Sequence, residues 1–385
     1  MIKNKKIAII DSVAARGGSH HFYLFGQSIG LIDQGLNVRL YTNDITDDPK
    51  IKGLSIKNYY KGIFNKKSRF IAGFFYLIGS IRSIFGARIF GARICHYHLF
   101  HVNSLVVFDL LLTKFLGMKV VYTVHDVISN LEKNEGSFRW INYVLNKSDK
   151  LITHNEYSKQ EMIRLFKGID KEIHIIPHGN YMPFITIKND QNKSRNKLGL
   201  PKHKKVLLFF GMIKRVKGLD LLLKSMQIVI KNNPDIFLLI AGKSWEDDFN
   251  LYNEMIENLG IKDNCIVHNK YIKSEHVADY FCSADISVLP YKRISQSGVL
   301  MMSMSYNCPV LVSNLLPFTE IINDDITGYI FESENINSLS QKILSIFSNE
   351  KSLIKCKDLA SNEIKTKYSW NEIGRKMKNI YEKIN

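Results

Sequence analysis

The feature that most constrains this chain is an alternation. Short runs of β-branched and aromatic residues recur along nearly its whole length, separated by longer segments of helical periodicity. That alternation belongs to α/β folds, in which parallel strands are joined by crossover helices. Strands are expected at 6–10, 38–41, 94–98, 120–124, 150–153 and 174–176 in the first half. In the second half they are expected at 206–210, 236–241, 265–268, 286–289, 310–312 and 328–331. Each set makes one doubly wound sheet, and 385 residues suit two such domains, each with its own core. Between them, 183–204 loses apolar periodicity and gains Asn, Lys and Pro, the composition of a surface linker. The expected division is therefore an N-terminal domain over 1–182, a linker over 183–204 and a C-terminal domain over 205–366. Trp370, Ile373, Met377, Ile380 and Ile384 recur every three or four residues, which predicts a closing amphipathic helix within 367–385.

Charge is unevenly distributed. The net charge is +17, and no acidic residue occurs between Asp48 and Asp109. That stretch holds ten cations: Lys50, Lys52, Lys57, Lys61, Lys66, Lys67, Arg69, Arg82, Arg88 and Arg93. Such a local excess fits a polyanionic partner, a membrane surface or nucleic acid. Nucleic acid is disfavoured because no zinc spacing, helix-turn-helix or aromatic RNA-binding motif accompanies the charge. The longest apolar run, 70–81, ends at Arg82, short of the ~20 residues that cross a bilayer. Residues 61–93 therefore read as an interfacial segment lying on an anionic membrane, with a core helix of the first domain as the other reading. Within it the pentapeptide IFGAR occurs twice, at 84–88 and 89–93, too little for a repeat architecture. Cys95, Cys265, Cys282, Cys308 and Cys356 are scattered and odd in number, which points to neither a disulfide framework nor a zinc site. The apolar run 7–10 stops at Asp11 and reads as a buried strand, not a signal peptide, so a cytoplasmic location is expected.

Three strand-to-helix junctions carry candidate chemistry. After the first strand comes Arg16-Gly17-Gly18-Ser19, where glycines allow close ligand approach to a helix start. The spacing falls short of a dinucleotide fingerprint, and an ordinary turn is the equal alternative. After the strand at 206–210, the loop 210–218 (FGMIKRVKG) sets Gly211, Lys214, Arg215, Lys217 and Gly218 together. Fixed cations there would stabilise a diphosphate whose charge grows as it departs. After the strand at 286–289, Ser295, Gln296, Ser297, Gly298 and Val299 lead into an apolar helix whose first-turn N–H groups can bind a phosphate or ribose. Ser297 is equally an ordinary helix cap.

Taken in order, Gly17-Gly18, Thr123-Val124-His125-Asp126, Ile176-Pro177-His178-Gly179-Asn180, the 210–218 loop, Ala284-Asp285, 297–310 and Gly328 resemble glycosyltransferase family 4. These are the glycosyl transferases group 1 of the GT-B fold. The resemblance covers nearly the whole chain. It implies two Rossmann-like domains with an interdomain cleft, an acceptor site in the first, a nucleotide-sugar site in the second, and a last helix that returns to the first. It also implies transfer with retention and no essential metal or other cofactor. By this resemblance Gly17, Gly18, Gly211, Lys214, Arg215, Lys217 and Ser295 to Val299 bind the donor, and Lys217, Arg215 and His125 serve catalysis. Arg16, His125 and Asp126 face the acceptor. The family's paired glutamates fall here on Ile294 and Met302, which cannot accept hydrogen bonds as carboxylates do. The expected reaction moves a hexose from UDP- or GDP-sugar to a saccharide acceptor carried on lipid at the inner membrane face, in surface polysaccharide synthesis. A nucleotide-sugar epimerase or a non-catalytic scaffold of the same fold are the alternatives.

Overall fold

A computed structural model describes residues 5–64, 68–126, 135–166, 168–185, 189–245 and 249–384. Lys66 and Lys67 of the basic stretch lie outside them. The chain forms two compact units, Met1–Gly179 with Tyr368–Asn385, and Asn180–Lys367.

The first unit contains β1 (Lys6–Ile10), β2 (Asn37–Asn43), β3 (Ser55–Tyr60), β4 (Ile94–Leu99), β5 (Lys119–Val124), β6 (Lys150–Thr153) and β7 (Ile173–Ile175). Its helices are α1 (His20–Asp33), α2 (Arg69–Phe90), α3 (Ser104–Phe115), α4 (Glu135–Lys147) and α5 (Glu156–Leu165). The second unit holds α6 (Gln191–Leu198), β8 (Lys205–Phe210), α7 (Leu219–Asn232), β9 (Ile236–Ala241), α8 (Asn250–Asn258) and β10 (Cys265–His268). It continues with α9 (Ser274–Ser283), β11 (Ile286–Leu289), α10 (Gly298–Ser305), β12 (Val310–Ser313), α11 (Leu316–Thr319), β13 (Tyr329–Phe331), α12 (Ile336–Ser348) and α13 (Glu350–Thr366). The chain closes with α14 (Trp370–Glu382), which belongs to the first unit.

Both sheets are parallel, in the orders β3-β2-β1-β4-β5-β6-β7 and β10-β9-β8-β11-β12-β13. Strands covered on both faces can be apolar throughout, and β9 is buried at every position. Each order reverses direction once, between β1 and β4 and between β8 and β11. Chain ends diverge at such a point and leave a crevice beyond the carboxyl ends of the strands.

Three elements differ from the expectation. β3 escaped it because Lys57 and Asn58 break the apolar pattern on an edge strand. Within the stretch expected to be a linker, Gln191–Leu198 is helical, capped by the Asp190 side chain and ended by Gly199 at φ 69°. That helix is anchored by Arg195, buried and paired with Asp285 at 2.7 Å. The apolar run from Phe70 does not stop at Arg82. It continues as one helix of 22 residues, long and apolar enough to cross a membrane by length and composition alone. Arg82 stays in the helix by lying over the Tyr59 ring at 4.9 Å. Length therefore does not exclude a span, contrary to the sequence argument. One face of α2, Gly79, Ser80, Ser83, Ile84 and Ala87, is nevertheless buried in the unit. At Gly79 the approach is closest, for a Cβ there would lie 2.6 Å from the Tyr60 ring. The two IFGAR copies are five residues apart, so Ile84 is buried while Ile89 is exposed.

Candidate active site

In the second unit, three loops meet at the switch point. Just after β8 comes Gly211, with φ 105°, where a Cβ would come within 3.2 Å of Val299 in the first turn of α10. Gly242, just after β9, has φ 150°, and a Cβ there would overlap the Gly211 carbonyl oxygen at 1.8 Å. Gly218 repeats this against the Pro290 carbonyl, also at 1.8 Å, with φ 69°. Side chains are excluded at these positions, so the loops pack backbone to backbone.

That packing fixes the cations. Arg215 and Lys217 lie on a short 3-10 turn, Arg215–Lys217. The Lys217 ammonium sits 3.7 Å from the centre of the Tyr291 ring, and Lys214 lies 5.5 Å from that of Trp245. Among the described residues neither Lys214 nor Lys217 has a carboxylate within ion-pair distance. Lys292 differs, donating to Asp220 at 2.8 Å. Aromatic faces thus hold two ammonium groups in place without neutralising them, leaving charge to meet an anion. Beside them α10 begins, where Ser297 is buried and accepts from the Leu300 N–H at 3.2 Å. Its hydroxyl is a cap. The Gly298 and Val299 N–H groups, in the first turn, have no partner within the helix. Ser295 and Gln296 are half-buried in the loop ahead of it. Met302 packs against the apolar cluster around Phe237 and Phe281, which explains why an ionised carboxylate would be costly there.

The first unit offers a different chemistry. Arg16 is exposed over the Phe64 ring at 5.6 Å, and Gly17 ends the turn Ala14–Gly17. Gly18, at φ 69°, has open space around it. Asp126 lies half-buried past the end of β5, next to His125. These residues share one unit, and the Gly211, Lys214, Arg215, Lys217 and Ser295 to Val299 set shares the other.

His125 is one member of a histidine chain that the sequence reading missed. His154 Nδ1–H donates to the Ile176 carbonyl at 2.9 Å, so its Nε2 accepts, at 3.0 Å, from His125 Nδ1–H. His125 Nε2 then accepts from His98 Nδ1–H at 2.8 Å. His98 Nε2 lies 3.0 Å from the terminal amide of Gln27. Four bonds need four protons and three neutral rings supply three, so the chain is complete with neutral rings only when the Gln27 amide is reversed from its placement here, where Oε1 faces His98 and Nε2 faces His96 Nδ1 and Met377 Sδ. Neutrality follows from burial, which pushes His125 and His98 well below the usual imidazole range and His154 down to about 3. His96, also near 3, bonds Tyr381 at 2.5 Å and Thr123 at 2.7 Å. A signal existed: His98, His125, His154 and His178 each fall at or just beyond the carboxyl end of successive strands β4 to β7. Parallel registers bring such positions side by side.

His20, His98 and His125 offer nitrogens within 4.8 Å of one another, the geometry of a possible metal group. His125 spends both nitrogens in the chain, and His20 Nε2 bonds Asp11 at 3.0 Å. A metal would have to break those bonds. A cavity of about 310 Å³ adjoins the same histidines, lined among others by Asp11, Tyr76, His98, Phe100, Asp109 and Tyr122.

Residues 22–179 match the sequence profile of Glycosyltransferase Family 4, and residues 190–366 that of Glycosyl transferases group 1. The chain belongs to the family 4 glycosyltransferases. It is 22% identical to D-inositol 3-phosphate glycosyltransferase of Paenarthrobacter aurescens, over 87% of this chain and 86% of that protein. For four curated relatives the aligned stretch spans 59% to 86% of the relative's own length. Among solved structures, sucrose-phosphate synthase from Thermosynechococcus elongatus superposes with a TM-score of 0.75, covering 98% of both chains at 17% identity. Anabaena Alr3699/HepE in complex with UDP-glucose gives 0.75 over 98% of this chain and 99% of that one, at 13% identity. At such identities the likeness shows the fold, which is GT-B. The glycosyltransferase thus carries two Rossmann-like units, as the alternation of strands and helices implies.

Proposed function

We propose that this glycosyltransferase moves a hexose-type sugar from a UDP- or GDP-sugar to a saccharide acceptor carried on lipid. The reaction proceeds with retention, without a metal, at the cytoplasmic face of the membrane, in bacterial surface polysaccharide synthesis. The observation that carries the donor half is the pair Lys214 and Lys217, anchored on Trp245 and Tyr291 with no carboxylate partner among the described residues, beside the start of α10. As the glycosidic bond breaks, charge accumulates on the departing diphosphate, and these cations with Arg215 stabilise it where it forms. The acceptor hydroxyl passes its proton to a donor phosphate oxygen, so no carboxylate base is required and Ile294 and Met302 are tolerated. His125, neutral and fixed at both nitrogens, is a rigid polar wall beside the sugar. Binding of UDP-glucose by the similarly folded HepE supports a uridine donor.

The test is Lys217→Ala assayed with UDP-glucose and GDP-mannose at saturation. Loss of one such contact slows turnover by roughly 10²-fold or more. Turnover equal to wild type would remove the diphosphate role from this loop.

A further inference from the structure

On a proton count, the bonds that stand in a metal's way at His20, His98 and His125 reduce to one. The bonds that run from Ile176 through His154, His125 and His98 to Gln27 need one proton more than the neutral rings supply. Reversing Gln27 closes the count but spoils other contacts. Its oxygen would face Met377 Sδ, which has no proton to give, and His96 Nδ1, which the Tyr381 hydroxyl already meets at 2.5 Å. An added proton would put a cation among buried rings, against the desolvation that holds them neutral. Replacing the 2.8 Å bond between His98 Nδ1 and His125 Nε2 by a metal ion closes the count with Gln27 left in place. Each ring then has one proton and one bond for it: His98 Nε2–H to Gln27 Oε1, His125 Nδ1–H to His154 Nε2, and His154 Nδ1–H to the Ile176 carbonyl.

We propose that His20, His98 and His125 form a site for a transition-metal ion of the Zn²⁺ class, with Asp11, Gln27 and His154 as its outer partners. His20 supports this independently of the count. It is no member of the chain, yet it offers a nitrogen within 4.8 Å of those of His98 and His125. Its Nε2 is held at 3.0 Å by the buried carboxylate of Asp11, which leaves Nδ1 to ligate. Every ligating ring thus gives its outer N–H to a protein acceptor, the arrangement that fixes a ligand's tautomer and raises its basicity. Zn–N bonds of about 2.05 Å set tetrahedral nitrogens about 3.3 Å apart, so His98 and His125 part by about 0.5 Å and His20 closes in. Phe100 stacks on His125 with ring centres 4.6 Å apart and stands edge-on to His20 at 4.6 Å, an apolar wall on one side. Asp11 and His98 line the cavity of about 310 Å³, which gives the ion its way in and leaves room for water as a further ligand. Imidazole ligands select Zn²⁺, Co²⁺, Ni²⁺ or Cu²⁺ over Mg²⁺ and Ca²⁺, which take oxygen. Bound there, the ion ties the start of α1 to the ends of β4 and β5. It carries no step of transfer, in which Lys214, Arg215 and Lys217 meet the diphosphate.

Co²⁺ serves as the probe, because its visible absorption reports its coordination geometry. The untagged full chain, freed of metal with EDTA, is titrated with Co²⁺ and then with Zn²⁺, and its Tm is followed with Zn²⁺ or Mg²⁺. Wild type should take up about one Co²⁺ with the intense bands of four-coordination and release it to Zn²⁺. Zn²⁺ should raise Tm and Mg²⁺ should not. His20→Gln should weaken Co²⁺ binding about 100-fold or more. Asp11→Asn, which keeps an oxygen for the Val13 and Ala14 N–H groups, should weaken it about 10- to 100-fold through His20. His276→Gln, at an exposed histidine, should leave binding unchanged. Circular dichroism checks the fold of each variant, and if His20→Gln does not fold, Asp11→Asn decides alone. Absence of Co²⁺ uptake by wild type, the weak bands of six-coordination, or uptake that ignores Asp11→Asn overturns the site. Loss of uptake in His276→Gln would do the same by placing the ion on the surface.

Discussion

A ring that is neutral in the folded protein and free to protonate once unfolded makes stability depend on pH. His96 and His154 titrate near 3 and His178 near 4 when folded, all lowered chiefly by burial, against an ordinary value of 6.5. Between pH 6.5 and 4 the unfolded chain therefore binds more protons, and stability falls as pH falls, by roughly 1.4 kcal/mol per pH unit for each ring. Asp109 acts with opposite sign. Its folded value is raised to about 7 by burial, partly offset by Ser80 and Tyr76, so it weakens the fold as pH rises from 4 to 7. Three rings outweigh one carboxyl, and the net expectation is loss of stability from pH 7 to 5. Urea midpoints at half-unit steps measure it, and His154→Gln should flatten the slope by about one ring's worth, roughly 1.4 kcal/mol per pH unit. An unchanged slope would mean that His154 is charged in the folded protein. His125 alone was legible in the sequence. The chain it belongs to needed strand register, which places residues 98, 125 and 154 side by side although 27 and 29 positions separate them.

Between elements, α1 and α14 are joined by glycines. A Cβ on Gly30 would lie 2.1 Å from the Trp370 carbonyl oxygen, and one on Gly374 would lie 2.1 Å from that of Gly30. The Trp370 ring also fills the space above Gly26 and Gly179, where a Cβ would fall 2.0 Å and 2.4 Å away. Gly30→Ala should therefore cost about 1–3 kcal/mol through backbone displacement, exceeding the ~1 kcal/mol that alanine brings to a helix. Gly73→Ala, in open space on α2, keeps that propensity gain and should stabilise by up to ~1 kcal/mol. Urea denaturation of the two variants gives shifts of opposite sign if the contacts govern the outcome. The apolar stripe of α14 was visible as Trp370, Ile373, Met377 and Ile380, all buried. Its partner was not, because Gly26 and Gly30 read simply as weak helix formers until Trp370 is seen against them. The α6 helix was similarly hidden behind its polar composition, although Asp190 and Gly199 stand at its ends as cap and stop.

At the scale of the molecule, charge and exposed apolar surface coincide on α2. Phe70, Phe74, Ile78, Ile81, Phe85 and Ile89 follow one another at three or four positions, with Phe70 92% and Ile89 85% exposed. Arg69, Arg82 and Arg88 run along the same helix, while its other face is packed in the first unit. A stripe of this size is unusual on a monomer surface and asks for a partner. A membrane fits both halves of the chemistry, with apolar rings entering the headgroup boundary and cations meeting anionic lipid. With its inner face docked at Tyr60, the helix has only one side to offer to lipid. Liposome flotation should show binding to anionic vesicles that weakens with salt, as screening shortens the reach of the arginines. Phe70→Ser with Phe74→Ser removes about 1.5–3 kcal/mol of apolar transfer per ring at full burial, so partitioning should fall tenfold or more. Arg82→Gln with Arg88→Gln should cost about 1 kcal/mol each on anionic vesicles and almost nothing on neutral ones. Equal recovery of all variants in the unbound fraction, with wild type there too, would place the acceptor in solution. Activity on lipid-linked acceptor should therefore fall with the Phe70/Phe74 pair, while activity on a soluble saccharide is retained.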